Sequence, residues 1–326
     1  MTVFSDLQSC FPKQIALRPS GHYAHIITLR IAESYPIFQT DDGLNVARVP
    51  IGRVNPQPID RIAMFLRKQT TPERLRGREL LRKYSPEAME ACRYNDNPCG
   101  QCPDCIAYGY AIGDEGAEKS KVFGDMAYSL SGHAISHIVN TLNAPNEGGI
   151  MYDPAEGKTS NRINSREYVI PSVIFPSVMT ARDLTFPMFC YVLNNLVSNK
   201  RYGATTTRTG RMDNEVVAIV VADGEIMSNL ALTQAIYDAL SAENRWPDDD
   251  LVSTAATQEV TSAILPDLIR GSDVQIQIRL MGRDLDDFLN EFREAISQNF
   301  EGLVEELYRD VADYRNRLKT KPKKGK

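Results

Sequence analysis

Four cysteines stand within fourteen positions of this 326-residue chain: Cys92, then Cys99-Gly-Gln-Cys102-Pro-Asp-Cys105. Thiolates are soft ligands, and zinc takes four of them in a tetrahedron. The two-residue gaps let successive sulfurs turn toward one ion, and Gly100 permits the tight backbone this needs. A site closed by four ligands holds structure and leaves no open position for catalysis. The expected ligand set is therefore Cys92, Cys99, Cys102 and Cys105 around a structural Zn2+. Three other readings compete. An iron–sulfur cluster would use the same C-x2-C-x2-C run, but a fourth cysteine at the usual downstream offset is missing. Cys102 and Cys105 could form a redox pair, or all four could be free thiols in a loop. His133 and His137 are candidates for a further ligand or for ordinary hydrogen-bonded histidines. Cys10 and Cys190 read as small buried hydrophobes.

The second chemistry-bearing segment is the loop Lys200–Met212, RYGATTTRTGRM after Lys200. It carries two glycines, four threonines and four cations, and no acid. Hydroxyls and backbone N–H groups donate to phosphate oxygens, and arginine binds phosphate bidentately. The Walker pattern is absent, so nucleotide hydrolysis is not indicated. Tyr202 could stack on a base. A solvated loop between helix and strand would look much the same. A run of cations precedes the cysteines: Arg67, Lys68, Arg74, Arg76 and Arg78. Glu118-Lys119-Ser120-Lys121-Val122-Phe123 sets cations beside an aromatic ring, and Arg162 and Arg166 add two more. Several such patches on an open fold suit a sequence-independent grip on a single strand. Asp41, Asp42 and Asp60 could hold a metal at a scissile phosphate, although loop aspartates are more often turn formers. No nucleophile motif, HExxH or paired-carboxylate signature appears.

The global charge of −5 hides this distribution. Residues 1–212 hold 24 Lys and Arg against 20 Asp and Glu, and residues 213–326 hold 13 against 22. The first part is thus +4 and the second −9, and local fields decide whether a polyanion docks. At 42% hydrophobic and 24% charged residues the composition is globular. No export signal and no run of about 20 apolar residues is present. The expectation is a cytoplasmic protein with no membrane partner, its bunched thiols in a reducing compartment.

These residues need elements to position them. YAHIITLRI (23–31) reads as a strand, with His25, Ile27, Leu29 and Ile31 on one face. RVPIGRVNPQPID reads as an irregular connection, and RIAMFLRK and PERLRGRELLRKY as basic helices. Around the cysteines the Gly-, Pro-, Asn- and Asp-rich context does not look like an ordinary core. Thr185–Asn199 is a helix candidate, EVVAIVVAD a strand, SNLALTQAIYDALSAE a helix and DVQIQIRLM an alternating strand. A last helix runs from about Leu285 to Leu318, with a break at Gly302, and a basic tail too charged to pack follows. The alternation gives an α+β chain with a ferredoxin-like, RRM-like split βαβ core and large insertions.

Three stretches together resemble a known family: FPKQIALRPSGHYAHIITLRIAESYPIFQTD near the start, CGQCPDCIAYGYAIG followed by KSKVFGDMAYSL, and RYGATTTRTGRMDNEVVAIVVADGE. The chain is similar, to about residue 310, to the backbone subunit of the subtype I-D CRISPR Cascade complex, a member of the Cas-seven family. The resemblance implies an RRM-like palm (1–60 and 181–318), a basic helical and zinc-binding insertion (61–117), a thumb-like insertion (118–180) and a disordered basic tail (319–326). With its cysteine site closed by four ligands and no catalytic motif, the chain is expected to carry no catalytic residue of its own. Copies of such a subunit line up along a guide crRNA with the other subunits of the effector complex, and the guide then pairs with target DNA. The expected guide contacts are Arg18, Lys119, Lys121, Arg201, Thr206, Arg208 and Arg211. Arg67, Lys68, Arg74 and Arg76 form a secondary set, for target strand or neighbouring copy. Some relatives cut the target from a loop aspartate after the first strand, so the alternative reading is a metal-dependent nuclease subunit.

Overall fold

The computed structural model describes residues 2–113, 116–143, 145, 147–159 and 163–319. Arg162 and residues 320–326 of the basic tail, both singled out from the sequence, lie outside the described residues. In chain order the first elements are α1 (Val3–Ser9), β1 (Tyr23–Ala32), β2 (Val46–Pro50), β3 (Pro58–Met64), α2 (Leu66–Tyr84), α3 (Pro86–Met89) and α4 (Pro103–Tyr108). Next come the short strands β4 (Tyr110–Ile112), β5 (Gly116–Glu118), β6 (Val122–Gly124) and β7 (Ala127–Tyr128), then α5 (His133–Ser136). An extended arm follows, made of β8 (His137–Asn143), β9 (Tyr152–Asp153), β10 (Lys158–Thr159) and β11 (Ile163–Val169). The chain closes with β12 (Ile174–Arg182), α6 (Phe186–Ser198), β13 (Met212–Ala222), α7 (Asn229–Ala242), α8 (Thr254–Arg270), β14 (Ile276–Leu280), α9 (Gly282–Gln298) and α10 (Phe300–Lys319).

The central sheet has the order β14-β13-β1-β12-β6, antiparallel throughout. Tracing β1–α2–β6–β12–α6–β13 recovers the split βαβ plan, with β14 added at one edge. The fold is the α+β, RRM-like palm that the sequence pattern implies. Its boundaries differ from those expected. Strands β6 and β12 belong to the palm although they fall in the segment assigned to the thumb, and α2 is a palm helix although it falls in the zinc-binding insertion. The physical reason is that β1 needs a hydrogen-bonded neighbour on each side, and β12 pairs with it along nine residues.

Both faces of β1 are covered. Ala24 and Ile26 pack with α1, α2, α6, α9 and α10, while Ile27 and Leu29 pack with α7 and α8. Helix α8, not anticipated from the sequence, closes the second of these faces. Two further expectations change. RVPIGRVNPQPID holds the paired strands β2 and β3, with its prolines at strand ends and in the turn. RIAMFLRK is strand up to Met64 and helix only from Leu66. The long C-terminal helix does break, but at Asn299 rather than Gly302. Asn299 leaves helical geometry and its Oδ1 accepts the Gly302 amide at 2.9 Å, capping α10. No helix among the described residues is long and apolar enough to cross a membrane.

Candidate nucleic-acid interface and metal centre

The four cysteines come together. Cys92 follows α3, Cys99 lies in the loop, Cys102 caps α4 and Cys105 sits in its first turn. Their Sγ atoms all lie within 4.8 Å of one another. A zinc–sulfur bond of about 2.3 Å sets the edge of a regular tetrahedron at about 3.8 Å. Cys92 Sγ is 3.8 Å from Cys102 Sγ and 3.7 Å from Cys105 Sγ. Backbone amides point at the sulfurs as well. Cys99 N–H donates to Cys92 Sγ at 3.4 Å, Gln101 N–H to Cys99 Sγ at 3.3 Å and Cys105 N–H to Cys102 Sγ at 3.4 Å. Gly100 makes the tight turn at φ +63. Hydrogen bonds from Cys102, Cys105 and Cys99 hold the Cys92 thiol well below its ordinary range. Bonds to Cys102 and Cys105 bring Cys99 down to about 7. Tyr308 Oη on α10 is buried without a hydrogen-bond partner and lies in the field of all four cysteines. The fit rests on the sulfurs themselves: four of them converge at tetrahedral spacing with backbone amides aimed at them, as a divalent ion that favours sulfur requires.

The cysteine lobe is not an appendage. Cys92, Cys102 and Cys105 are part of the main hydrophobic cluster with Met89, Ile106 and the residues of α6 and α10. The reading of this segment as too polar for a core is thereby corrected: α4 buries every side chain from Pro103 to Tyr108. His133 and His137 take no part. Their rings stack at 4.1 Å, and His137 Nδ1 meets the His133 carbonyl at 2.8 Å. Cys190 is buried as expected, and Cys10 is half-buried.

The basic residues divide into two kinds. Arg61 and Arg78 are fully buried and Arg74 nearly so. Arg61 donates to the carbonyls of Ser129, Leu130 and Ile51. Arg74 Nε and Arg78 Nη1 both bind the buried Asp104 carboxylate, at 2.8 and 2.7 Å. Asp104, between two of the cysteines, was not singled out from the sequence. The only signal was an acid inside a ligand run. Lys121 is also largely buried, donating to Glu118 Oε1 at 2.5 Å and lying 4.8 Å from the Tyr314 ring centroid. These cations hold the fold.

The other kind meets in one groove. Arg67, Lys68 and Arg76 of α2 face Lys200, Arg201 and Thr206 across a cleft of about 540 Å³. Residues more than 120 positions apart in sequence thus share one surface. The single carboxylate in its lining, Glu79, is tied to Arg76 at 3.1 Å. Burial first, and then the neighbouring Arg67 charge, pull the Lys68 ammonium below its ordinary value. An anion in the groove would relieve that. The wall formed by the Lys200–Met212 loop is fixed from beneath. Tyr202 is fully buried, which corrects its reading as a base-stacking ring. Its Oη donates to Glu73 at 3.0 Å and accepts from Asn214 Nδ2 at 2.6 Å, while Arg30 Nη1 donates to Glu73 at 2.7 Å. The extended arm reaches the same loop, where Arg166 donates to Thr205 Oγ1 at 3.1 Å.

Not all expected contacts share this place. Arg208 is exposed on the loop, and Arg211 beside it is paired with Glu33 at 2.5 Å. Arg18 is exposed near the Tyr23 end of β1, with Lys121 held to Arg182 there, and the basic loop joins the Ala32 end. Ten residues of strand separate the two ends by about 30 Å. Lys119 is exposed just ahead of β6. Asp41 and Asp42 are exposed on the loop after β1, and Asp60 pairs with Arg48 at 3.4 Å. Among the described residues the four cysteines form the group suited to a metal, and these aspartates do not join one.

A family model described as Csc2 Crispr matches residues 6–304. Among solved structures, the crystal structure of Thermofilum pendens Csc2 is similar, with a TM-score of 0.51 at 14% identity over 92% of this chain and 98% of that one. That likeness is one of fold. A cryo-EM structure of the Type III-B Cmr-beta complex bound to cognate target RNA also matches, with a TM-score of 0.34 and 11% identity over 61% of this chain and 60% of that one. The second is too distant to bear on function. No curated protein matches.

Proposed function

The chain belongs to the Csc2 CRISPR family, and from that premise we propose that it is a non-catalytic backbone subunit of a subtype I-D CRISPR effector complex in the prokaryotic cytoplasm. It binds guide crRNA through phosphates, in repeated copies beside the other subunits, and presents the guide for pairing with target DNA. The observation that carries the reading is the groove between α2 and the Lys200–Met212 loop. Its cations outnumber its one neutralised acid, and its walls are pinned by buried hydrogen bonds. Phosphate contacts fix register without reading bases, so one subunit serves any guide, and base pairing supplies specificity.

Within the groove the strand contacts are Arg201, Thr206, Arg67, Lys68 and Arg76, continued by Arg208 and Arg211 along the loop. Arg18 and Lys119 would meet nucleic acid at a separate place, as befits a strand that passes from copy to copy. Lys121 and Arg74 act from inside the fold. Zn2+ on Cys92, Cys99, Cys102 and Cys105 supplies cross-linking of the lobe against α2, α6 and α10 and no reaction step. The acidic C-terminal third, at −9, suits contact with a neighbour's basic surface in head-to-tail assembly.

The test is binding of the whole protein to short single-stranded RNAs of unrelated sequence across a salt series. Affinity should be similar for all sequences and fall steeply with salt. Arg67→Ala and Arg201→Ala should each flatten the slope of log K against log salt by about 0.7. Unchanged slopes in both variants would sink the groove assignment.

A further inference from the structure

Arg78 is the residue that the proposed nucleic-acid grip leaves unused. It lies on α2, whose outer face lines the groove, yet its guanidinium is fully buried against the cysteine lobe. Nη1 donates to Asp104 Oδ2 at 2.7 Å and reaches Cys92 Sγ at 3.4 Å. Nη2 donates to the Cys92 carbonyl at 2.6 Å and reaches Cys92 Sγ at 3.5 Å. One planar fork therefore touches a ligand sulfur, that ligand's own backbone and the acid between two other ligands. Lysine, a point donor, could not make this set.

Charge gives the arrangement a purpose. A divalent ion with four thiolates carries two surplus negative charges, and Asp104 adds a third in a buried place. Arg74 and Arg78, joined through Asp104, offset two of them. Groups in this outer position orient ligands and tune their donor strength, and losing one costs about 10–100-fold in metal affinity.

We infer that Arg78 is a positioning residue of the metal site, which orients Cys92 and offsets the thiolate charge, and that it ties the metal lobe to the helix bearing the groove cations. The inference rests on the metal reading above. Without the guanidinium, Cys92 loses its side-chain donor and the site its charge balance. With it, occupancy of the site and the seating of α2 are coupled.

Two variants of the full chain separate this role from simple packing. Arg78→Met keeps most of the side-chain volume and removes charge and donors, and Arg78→Lys keeps the charge. Zinc affinity is read by competition with a chromophoric chelator, and the thiolate-to-metal charge-transfer band is read with Co2+ in place of zinc. R78M should bind zinc about 10–100-fold more weakly. Its cobalt band should move to longer wavelength, because a sulfur without its donor gives up electron density more easily. R78K should fall between R78M and the parent protein. Parent-like affinity and spectrum in R78M would overturn the inference, since packing alone would then account for Arg78. If R78M does not fold, R78K decides: parent-like values for it overturn the proposal, and weaker binding with a shifted band supports it. A parent protein that takes up neither zinc nor cobalt would overturn the metal reading, and this inference with it.

Discussion

At the scale of single residues, the fully buried pair Arg30 and Glu73 shows how a charge can be structural here. Arg30 comes from near the Ala32 end of β1 and Glu73 from α2, and Tyr202 and Asn214 complete the network. Two charges out of water are tolerable only together, and removing one partner costs about 3–5 kcal/mol. Glu73→Gln should lower unfolding free energy by about that amount in urea titration, with RNA affinity falling as the loop above Tyr202 loosens. A loss below 1 kcal/mol would show that Arg30 finds another acceptor. The sequence could not separate such cations from those that line the groove. Arg67, Arg74, Arg76 and Arg78 lie on one helix at mixed spacing, and only the partner each meets decides its part. The cysteines were legible, because ligand type and short spacing constrain the geometry on their own.

At the scale of elements, α2 is the hinge of the design. One face lines the groove, one carries Arg74 and Arg78 to the cysteine lobe, and Gly77 lets the helix approach α6. A Cβ at Gly77 would come within 2.5 Å of the Tyr191 hydroxyl, on a fully buried ring. Gly77→Ala should therefore destabilise by about 1–3 kcal/mol despite its better helix propensity, as overpacking does. Thermal denaturation checks this, and a stabilised variant would show that the α2–α6 contact yields. Strongly periodic elements such as α6, β13 and α7 were readable because one consistent pattern determined each. RIAMFLRK was not, since a short apolar run fits strand and helix alike and pairing with β2 and β7 decided the matter.

At the scale of the whole molecule, the sheet is sealed on both faces, and His25 lies inside it. Its ring bonds Thr180 Oγ1 at 2.9 Å and the Gly224 carbonyl at 3.0 Å; burial, against the opposing pull of the Gly224 carbonyl, brings its pKa down from 6.5 to about 4. The unfolded chain binds the proton first. Stability from the neutral ring is therefore complete above about pH 6.5 and is lost as pH falls toward 4, at most by about 3 kcal/mol. The gap in unfolding free energy between the parent protein and His25→Gln should narrow over that window, and a constant gap would refute the assignment. The sequence by itself determined the palm's strand and helix alternation, the cysteine cluster and the existence of basic segments, because periodicity and cysteine spacing are local properties. Only the tertiary structure decided which cations face solvent, that β6, β12 and α2 belong to the palm, and that α2 meets the Lys200–Met212 loop in one groove. Those facts depend on partners distant in the chain, and burial rather than residue type sets what a charge can do.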